Sequence, residues 1–75
     1  MPPSLSARIR EVRLDSGLTQ REVASASGLA HSTVSRIECG HVLPTLATLE
    51  RMAAAMGTTI AAFTQEKTDG PGDDS

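Results

Sequence analysis

The segment Thr19–Gly40, with the sequence TQREVASASGLAHSTVSRIECG, decides how this chain folds. It contains two short helical patterns joined by a turn with a single glycine, Gly28, and this is the arrangement of a helix-turn-helix. Glycine at that point tolerates a left-handed backbone that a side chain would oppose. The positions predicted to face a common core are apolar: Val23, Leu29, Val34 and Ile37. The polar positions between them, predicted to face outward, are Gln20, His31, Ser32, Ser35 and Arg36.

Helical patterns continue on both sides of this segment. Leu5, Ile9 and Val12 recur on one face of a first helix, and Thr19 with Glu22 forms a capping box before the second. Thr45 is expected to cap the fourth helix, whose apolar positions are Leu46, Leu49, Met52, Ala53 and Met56. The sequence predicts five helices, over Ser4–Ser16, Gln20–Ser27, His31–Cys39, Leu46–Met56 and Ile60–Glu66.

Composition narrows the class of protein. The chain has 75 residues, one aromatic residue (Phe63) and one cysteine (Cys39), which excludes an internal disulfide and gives no zinc-binding spacing. Alanine and leucine are frequent, which favours an all-α domain, predicted over residues 1–67. Residues 68–75 contain no apolar side chain and are predicted to form a disordered acidic tail. We expect no cofactor and no metal.

The start of the sequence does not have the pattern of a signal peptide. Met1–Pro3 lacks the basic start and apolar run of a signal peptide, and no stretch approaches twenty apolar residues. We therefore expect a cytoplasmic protein with no membrane partner.

Charge is divided unevenly along the chain. The net charge is −2, but through Phe63 six arginines face five acidic residues, whereas the segment from Thr64 has one lysine and four acidic residues. The predicted domain is therefore close to neutral. Net charge alone does not identify a nucleic-acid-binding protein here, so the placement of individual side chains has to do so.

Four segments, in order and at matching spacing, resemble one family. They are I-R-x-V-R from Ile9, G-L-T-Q-R-E-V-A from Gly17, G-L-x-x-S-T-V-S-R-I-E-x-G from Gly28 and P-T-L-x-T-L-x-x-M-A from Pro44. Together they resemble the phage-repressor and Cro-like (Xre-type) helix-turn-helix domain. The resemblance implies a compact five-helix, lambda-repressor-like fold that binds double-stranded DNA, usually as a symmetric dimer, with the third helix in the major groove.

The resemblance also implies roles for individual residues. The base-reading set on the third helix is His31, Ser32, Ser35 and Arg36. Gln20 would bind a backbone phosphate, and the further phosphate contacts predicted are Arg10, Arg21, Thr33 and His41. Arg13 and Glu38 would form a partly buried ion pair, and Ile60, Ala61 and Phe63 would form a dimer interface. Family members often have a serine where this chain has Ala30, so the third helix lacks that cap.

Physical chemistry supports these roles but leaves plainer alternatives open. The guanidinium of Arg36 matches the O6 and N7 atoms of guanine, a pairing worth about 1–3 kcal/mol of discrimination. His31 can donate or accept at a base edge. As alternatives, Arg36 and His31 are simply solvated, Ser32 and Ser35 serve as a cap and exposed filler, and Arg13 and Glu38 form an ordinary surface pair.

The sequence therefore predicts a sequence-specific DNA-binding transcriptional regulator, a repressor acting as a homodimer on an inverted-repeat operator. No nucleophile has a placed base and no glycine-rich phosphate loop occurs, so we do not expect an enzyme. The alternative is an antitoxin or adaptor of the same fold, whose main role is to bind a protein partner such as a toxin.

Overall fold

Five helices form the fold in a computed structural model that describes residues 4–64 of the chain. They are α1 (Leu5–Asp15), α2 (Gln20–Ser27), α3 (His31–Glu38), α4 (Leu46–Ala55) and α5 (Ala61–Thr64). The predicted helices are present, with ends that differ by at most one residue where they can be compared. The predicted end of the fifth helix at Glu66 and the predicted tail at 68–75 lie outside the described residues.

Side-chain caps explain where three of these helices begin. The Oγ of Ser4 accepts a hydrogen bond from the backbone amide of Ala7 at 3.2 Å, and the Oγ1 of Thr45 accepts one from Thr48 at 3.1 Å. The predicted capping box is present: Thr19 Oγ1 accepts from the Glu22 amide at 3.0 Å, and Glu22 Oε1 accepts from the Thr19 amide at 2.8 Å. These bonds satisfy amides that a helix start leaves without partners.

The core lies where the helices cross. In pairwise packing, α2 contacts α3 and α4, and α1 contacts α3 and α5. The buried apolar side chains come from all five helices and the residue that follows α4: Ile9, Val23, Ala24, Val34, Ile37, Leu49, Met52, Ala53, Met56 and Phe63. This packing sets the angle between α2 and α3, so the outer face of α3 has a defined position relative to the rest of the domain.

Leu46, the first of the apolar positions that recur along the fourth helix, does not belong to the core. Its side chain is 65% exposed, whereas Leu49, Met52 and Ala53 on the same helix are buried. Leu46 is the first residue of α4 and lies at the edge of its apolar stripe, so little of its surface is covered by the neighbouring helices. The exposed side chain gives this end of α4 an apolar surface.

The start of α3 yields a stability prediction. Ala30 occupies the N-cap position with φ −72° and ψ 147°, the extended geometry of a capping residue, but alanine offers no acceptor. The change Ala30→Ser supplies a hydroxyl to the first amides of α3 and should raise the free energy of unfolding by about 1 kcal/mol. Urea denaturation of the two proteins measures the difference. The control Ala26→Ser, at an exposed position inside α2, should lower stability slightly, and an equal effect of both changes would contradict this account.

Candidate nucleic-acid interface

The turn between α2 and α3 fixes the geometry of the candidate site. Gly28 ends α2 with φ +75°, a left-handed conformation that glycine adopts without strain. The amide of Leu29 then donates to the carbonyl of Ala24 at 2.9 Å, and Leu29 packs against the core. The chain is thus turned sharply into α3, and the two helices form the predicted helix-turn-helix.

The two faces of α3 differ in exposure as the spacing of its residues predicts. Val34 and Ile37 are 0% and 1% exposed and anchor the helix in the core. Ser32 and Arg36 are exposed and Ser35 is half-buried, and because they lie at i, i+4 and i+3 they share the outer face of the helix. Three of the four predicted base-reading residues are therefore brought together on one accessible surface.

The fourth predicted base-reading residue, His31, lies between the outer face of α3 and the predicted phosphate-binding residues. It is exposed, and it borders a shallow groove of about 600 Å³ together with Gln20 and Arg21, two of the predicted phosphate-binding residues. This groove joins the starts of α2 and α3, where backbone amides point outward and attract anions. The remaining lining residues are Arg13, Leu14, Gly17, Leu18 and Thr19.

The other predicted phosphate contacts are more dispersed. Thr33 is half-buried on the flank of α3, and His41 is exposed just after it, with its amide donating to the carbonyl of Arg36 at 2.9 Å. Arg10 is exposed on α1 and lines a different groove, beside Glu38 rather than beside Gln20. Leu14, which is 57% exposed, borders both grooves.

Arg13 and Glu38 form a bidentate ion pair behind the site. The Nε of Arg13 lies 2.7 Å from Oε2 of Glu38 and its Nη2 lies 3.1 Å from Oε1, and the two side chains are 10% and 2% exposed. The Nη1 of Arg13 also donates to the carbonyl of Leu18 at 2.8 Å. This network ties α1 and the loop before α2 to the end of α3, which is more than a surface ion pair provides.

Gln20 joins the same network. Its Nε2 donates to Oε1 of Glu38 at 3.1 Å, so one amide hydrogen of a predicted phosphate-binding side chain is held by a buried carboxylate. The amide has a second hydrogen, which remains available to another acceptor. Glu38 therefore orients Gln20 at the edge of the groove, a link that the sequence did not reveal.

Arg8 on α1 and Phe63 on α5 are both buried. Arg8 is 8% exposed and donates from Nη2 to the carbonyl of Ala62 at 2.9 Å, joining α1 to α5. Its place between Leu5 and Val12 on the helix surface was the available signal. Phe63, predicted at a dimer interface, is 2% exposed and fills the core, so its side chain is not accessible to a partner. Ile60 is half-buried and Ala61 is exposed.

Membrane-spanning helices and metal-binding clusters are both absent from the described residues. No helix within residues 4–64 is long and apolar enough to cross a membrane. Over the same residues, no three His, Cys, Asp or Glu side chains are grouped closely enough to hold a metal ion.

Comparison with known proteins agrees with this geometry. The helix-turn-helix family profile matches residues 9–63. The chain belongs to this helix-turn-helix family. It is similar to the HTH-type transcriptional regulator PuuR of Escherichia coli (strain K12), with 39% identity over 59 residues that cover 79% of this chain and 32% of that protein. It is also similar to the immunity repressor protein of Bacillus phage phi105, with 34% identity over 65 residues, 87% of this chain and 45% of the repressor.

A solved structure shares the fold of this helix-turn-helix domain. The restriction-modification controller protein C.AhdI from Aeromonas hydrophila superimposes with a TM-score of 0.76 and 30% identity, over 79% of this chain and 89% of that one. These similarities confirm the predicted phage-repressor and Xre-type family and the all-α class. The relatives named here are a transcriptional regulator, a repressor and a controller protein rather than enzymes. The chain spans about a third of the length of PuuR and less than half of the phage repressor.

Proposed function

We propose that this helix-turn-helix domain binds double-stranded DNA in a sequence-specific manner and regulates transcription as a repressor, acting as a homodimer on an inverted repeat. The observation that supports this most strongly is the polar outer face of α3, exposed on a helix whose opposite face is fixed in the core. The names of its relatives, a transcriptional regulator and an immunity repressor, favour the same role.

In this proposal the groove between the starts of α2 and α3 receives the phosphate backbone. Gln20 donates its second amide hydrogen to a phosphate oxygen, Arg21 adds a positive charge, and the free amides at the start of α2 attract the same anion. Thr33 and His41 contact phosphates on the opposite flank, and Arg10 adds attraction at longer range. Contacts of this kind orient the protein on the duplex without selecting its sequence.

Sequence is read by the side chains that reach the base edges. Arg36 donates two parallel hydrogen bonds to one guanine, and Ser32 and Ser35 contact neighbouring bases or phosphates. His31, at the boundary with the phosphate groove, contacts the first base of the site or the phosphate beside it. In a symmetric dimer the two α3 helices then occupy successive major grooves about 34 Å apart, which sets the spacing of the half-sites.

Replacing Gln20 distinguishes binding to the phosphate backbone from recognition of the base sequence. Gln20→Ala should weaken binding to all duplexes by a similar factor, about tenfold per half-site, because one hydrogen bond to a charged phosphate is lost. Its salt dependence should stay the same, since glutamine carries no charge. Arg21→Ala is the matched control and should reduce the slope of log K against log salt by about one. Anisotropy titrations on two unrelated duplexes at several salt concentrations measure both, and a sequence-selective loss in Gln20→Ala would contradict the anchoring role.

Replacing Arg36 tests the reading function itself. Arg36→Ala should abolish the preference at one base pair, about 1–3 kcal/mol of discrimination, and leave weak binding to other sequences. Arg36→Lys is the matched control, because it keeps the charge and loses the planar fork, so preference should fall while salt dependence is retained. The measurement compares each variant on a selected duplex and on duplexes changed at single base pairs. An unchanged base preference in Arg36→Ala would remove Arg36 from the reading set.

A further inference from the structure

The outer face of α4 has a symmetric arrangement that the reading function does not use. Ala47, Glu50, Arg51 and Ala54 lie at i, i+3, i+4 and i+7 and are all exposed, so they form one continuous row, here called the α4 stripe. The opposite face of the same helix is buried through Leu49, Met52 and Ala53. The stripe therefore points away from the core of this domain.

The α4 stripe is complementary to itself. Ala47 lies three residues before Glu50, and Ala54 lies three residues after Arg51, so the row is symmetric about the point between Glu50 and Arg51. When a second copy of the helix is laid antiparallel on this row, Glu50 faces Arg51 of the second copy and Ala47 faces Ala54 of the second copy. An isologous twofold contact requires this kind of pairing, in which position i meets position j and j meets i.

The charges of the α4 stripe are free to make such pairs. Glu50 and Arg51 form no ion pair with any other side chain of residues 4–64. The alanines at both ends have short side chains, which lets two helices approach to the 8–10 Å spacing of ordinary helix packing. The pairing brings opposite charges together twice and leaves no like charges opposed at the centre.

The exposed side chain of Leu46 and a shallow groove lie beside the stripe, and the same twofold pairing brings them together. At 3.6 residues per turn, Leu46 and Ala53 lie beside the stripe, on the edge that Glu50 forms. Leu46 is 65% exposed and Leu43, just before the helix, is 84% exposed. Further along the chain on this side is a shallow groove of about 280 Å³, lined by Glu50, Ala53, Thr58, Thr59 and Ile60.

The twofold operation brings this side chain to this groove. When two facing antiparallel helices are related by a twofold axis perpendicular to both, the Leu46 sides of the two helices lie on the same side of the pair. The start of each helix then lies opposite the end of the other. Leu46 at the start of one α4 therefore comes level with the end of α4 in the second copy, beside the groove of that copy. The match occurs twice, and it places each exposed Leu46 beside the groove that contains Ile60 of the other copy.

We propose that the α4 stripe, with Leu46 and Leu43 beside it, is the surface on which a second copy of this chain docks antiparallel, with Glu50 paired to Arg51 of the second copy. This inference rests on the proposed function, to which it adds the dimer contact. Of the three residues first predicted for a dimer interface, it retains Ile60, as part of the groove. The core residue Phe63 has no part in it.

Charge exchange tests this pairing with the full 75-residue chain. Glu50→Arg and Arg51→Glu should each raise the dimer dissociation constant about tenfold or more, because both pairs become repulsive. An equimolar mixture of the two variants should form a heterodimer, since every facing pair is then opposite in charge. The double variant E50R/R51E should dimerise like the unaltered chain. Sedimentation equilibrium over a range of concentrations measures each case, and the control Leu14→Asp, at an exposed position on α1, should leave dimerisation unchanged.

DNA binding distinguishes failure of this surface from failure of the proposed function. Both single variants should still bind a duplex with one half-site and should lose cooperative binding to a duplex with two. If the single variants dimerise as tightly as the unaltered chain, or if their mixture gains nothing, the pairing is wrong while DNA reading stands. If the unaltered chain stays monomeric with and without DNA, both this surface and the homodimer of the proposed function are overturned, whereas selective binding to a single half-site would leave base reading by α3 intact. If no duplex is bound selectively by any variant, it is the proposed function that fails.

Discussion

Arg13→Ala is expected to lower the free energy of unfolding by about 3–5 kcal/mol, because it leaves a buried carboxylate without its cation. The Glu38 side chain is 2% exposed, and Arg13 supplies two of its hydrogen bonds, at 2.7 Å and 3.1 Å. After the change only the 3.1 Å bond from Gln20 remains. A domain of this size has little stability to spare, so most of it would be lost. Urea denaturation followed by circular dichroism measures the change.

The double variant R13M/E38L is the control for this prediction. It removes both charges and replaces them with apolar side chains, and such replacements of buried pairs are often neutral or stabilising. Its stability should therefore return close to that of the unaltered protein. A loss below about 1 kcal/mol in Arg13→Ala would mean that the pair acts like an exposed ion pair, which contradicts its role in fixing α3.

Phe63→Ala is expected to destabilise the folded chain by about 3–5 kcal/mol through the cavity left in the core. Phe63 is 2% exposed and lies on α5, a helix of four residues that packs on α1. Such a short helix has no stability of its own, so loss of this side chain should also release the bond between Arg8 and the carbonyl of Ala62.

The Phe63 variant also separates a core role from an interface role. Thermal unfolding should show the same loss at every protein concentration if Phe63 acts within one chain, because association then plays no part. Leu14→Ala is the matched control, since Leu14 is 57% exposed and its truncation should change stability by less than about 0.5 kcal/mol. A loss that appears only in the dissociation constant of a dimer would return Phe63 to the interface.

The helices could be predicted because their signals are local. Thr19 with Glu22, and Thr45, are capping residues that act within one turn, and the apolar spacing of Val34 and Ile37 follows the helical period. The spacing of apolar residues does not predict that Leu46 is exposed, because periodicity states which face a residue occupies but not how far a neighbouring helix extends over that face. The exposure of Leu46 is decided by the tertiary arrangement.

Some features of the candidate site could likewise be predicted from local spacing, whereas others depend on contacts between residues far apart in the sequence. The outer face of α3 follows from the spacing of Ser32, Ser35 and Arg36, and the resemblance to known domains supplied the pairing of Arg13 with Glu38. The bond from Gln20 to Glu38 spans 18 residues and the bond from Arg8 to Ala62 spans 54. Contacts between residues this far apart leave no periodic trace in a single sequence, so only the structure reveals them.

Sequence-specific reading by α3 can be tested by selecting binding sites from a pool of random DNA duplexes, at low and at near-physiological salt. We expect enrichment of an inverted repeat with half-sites about ten base pairs apart, and a guanine in each half-site whose selection disappears in Arg36→Ala. Binding without enrichment, which fades as salt is raised, would reveal phosphate attraction alone and contradict sequence-specific reading by α3.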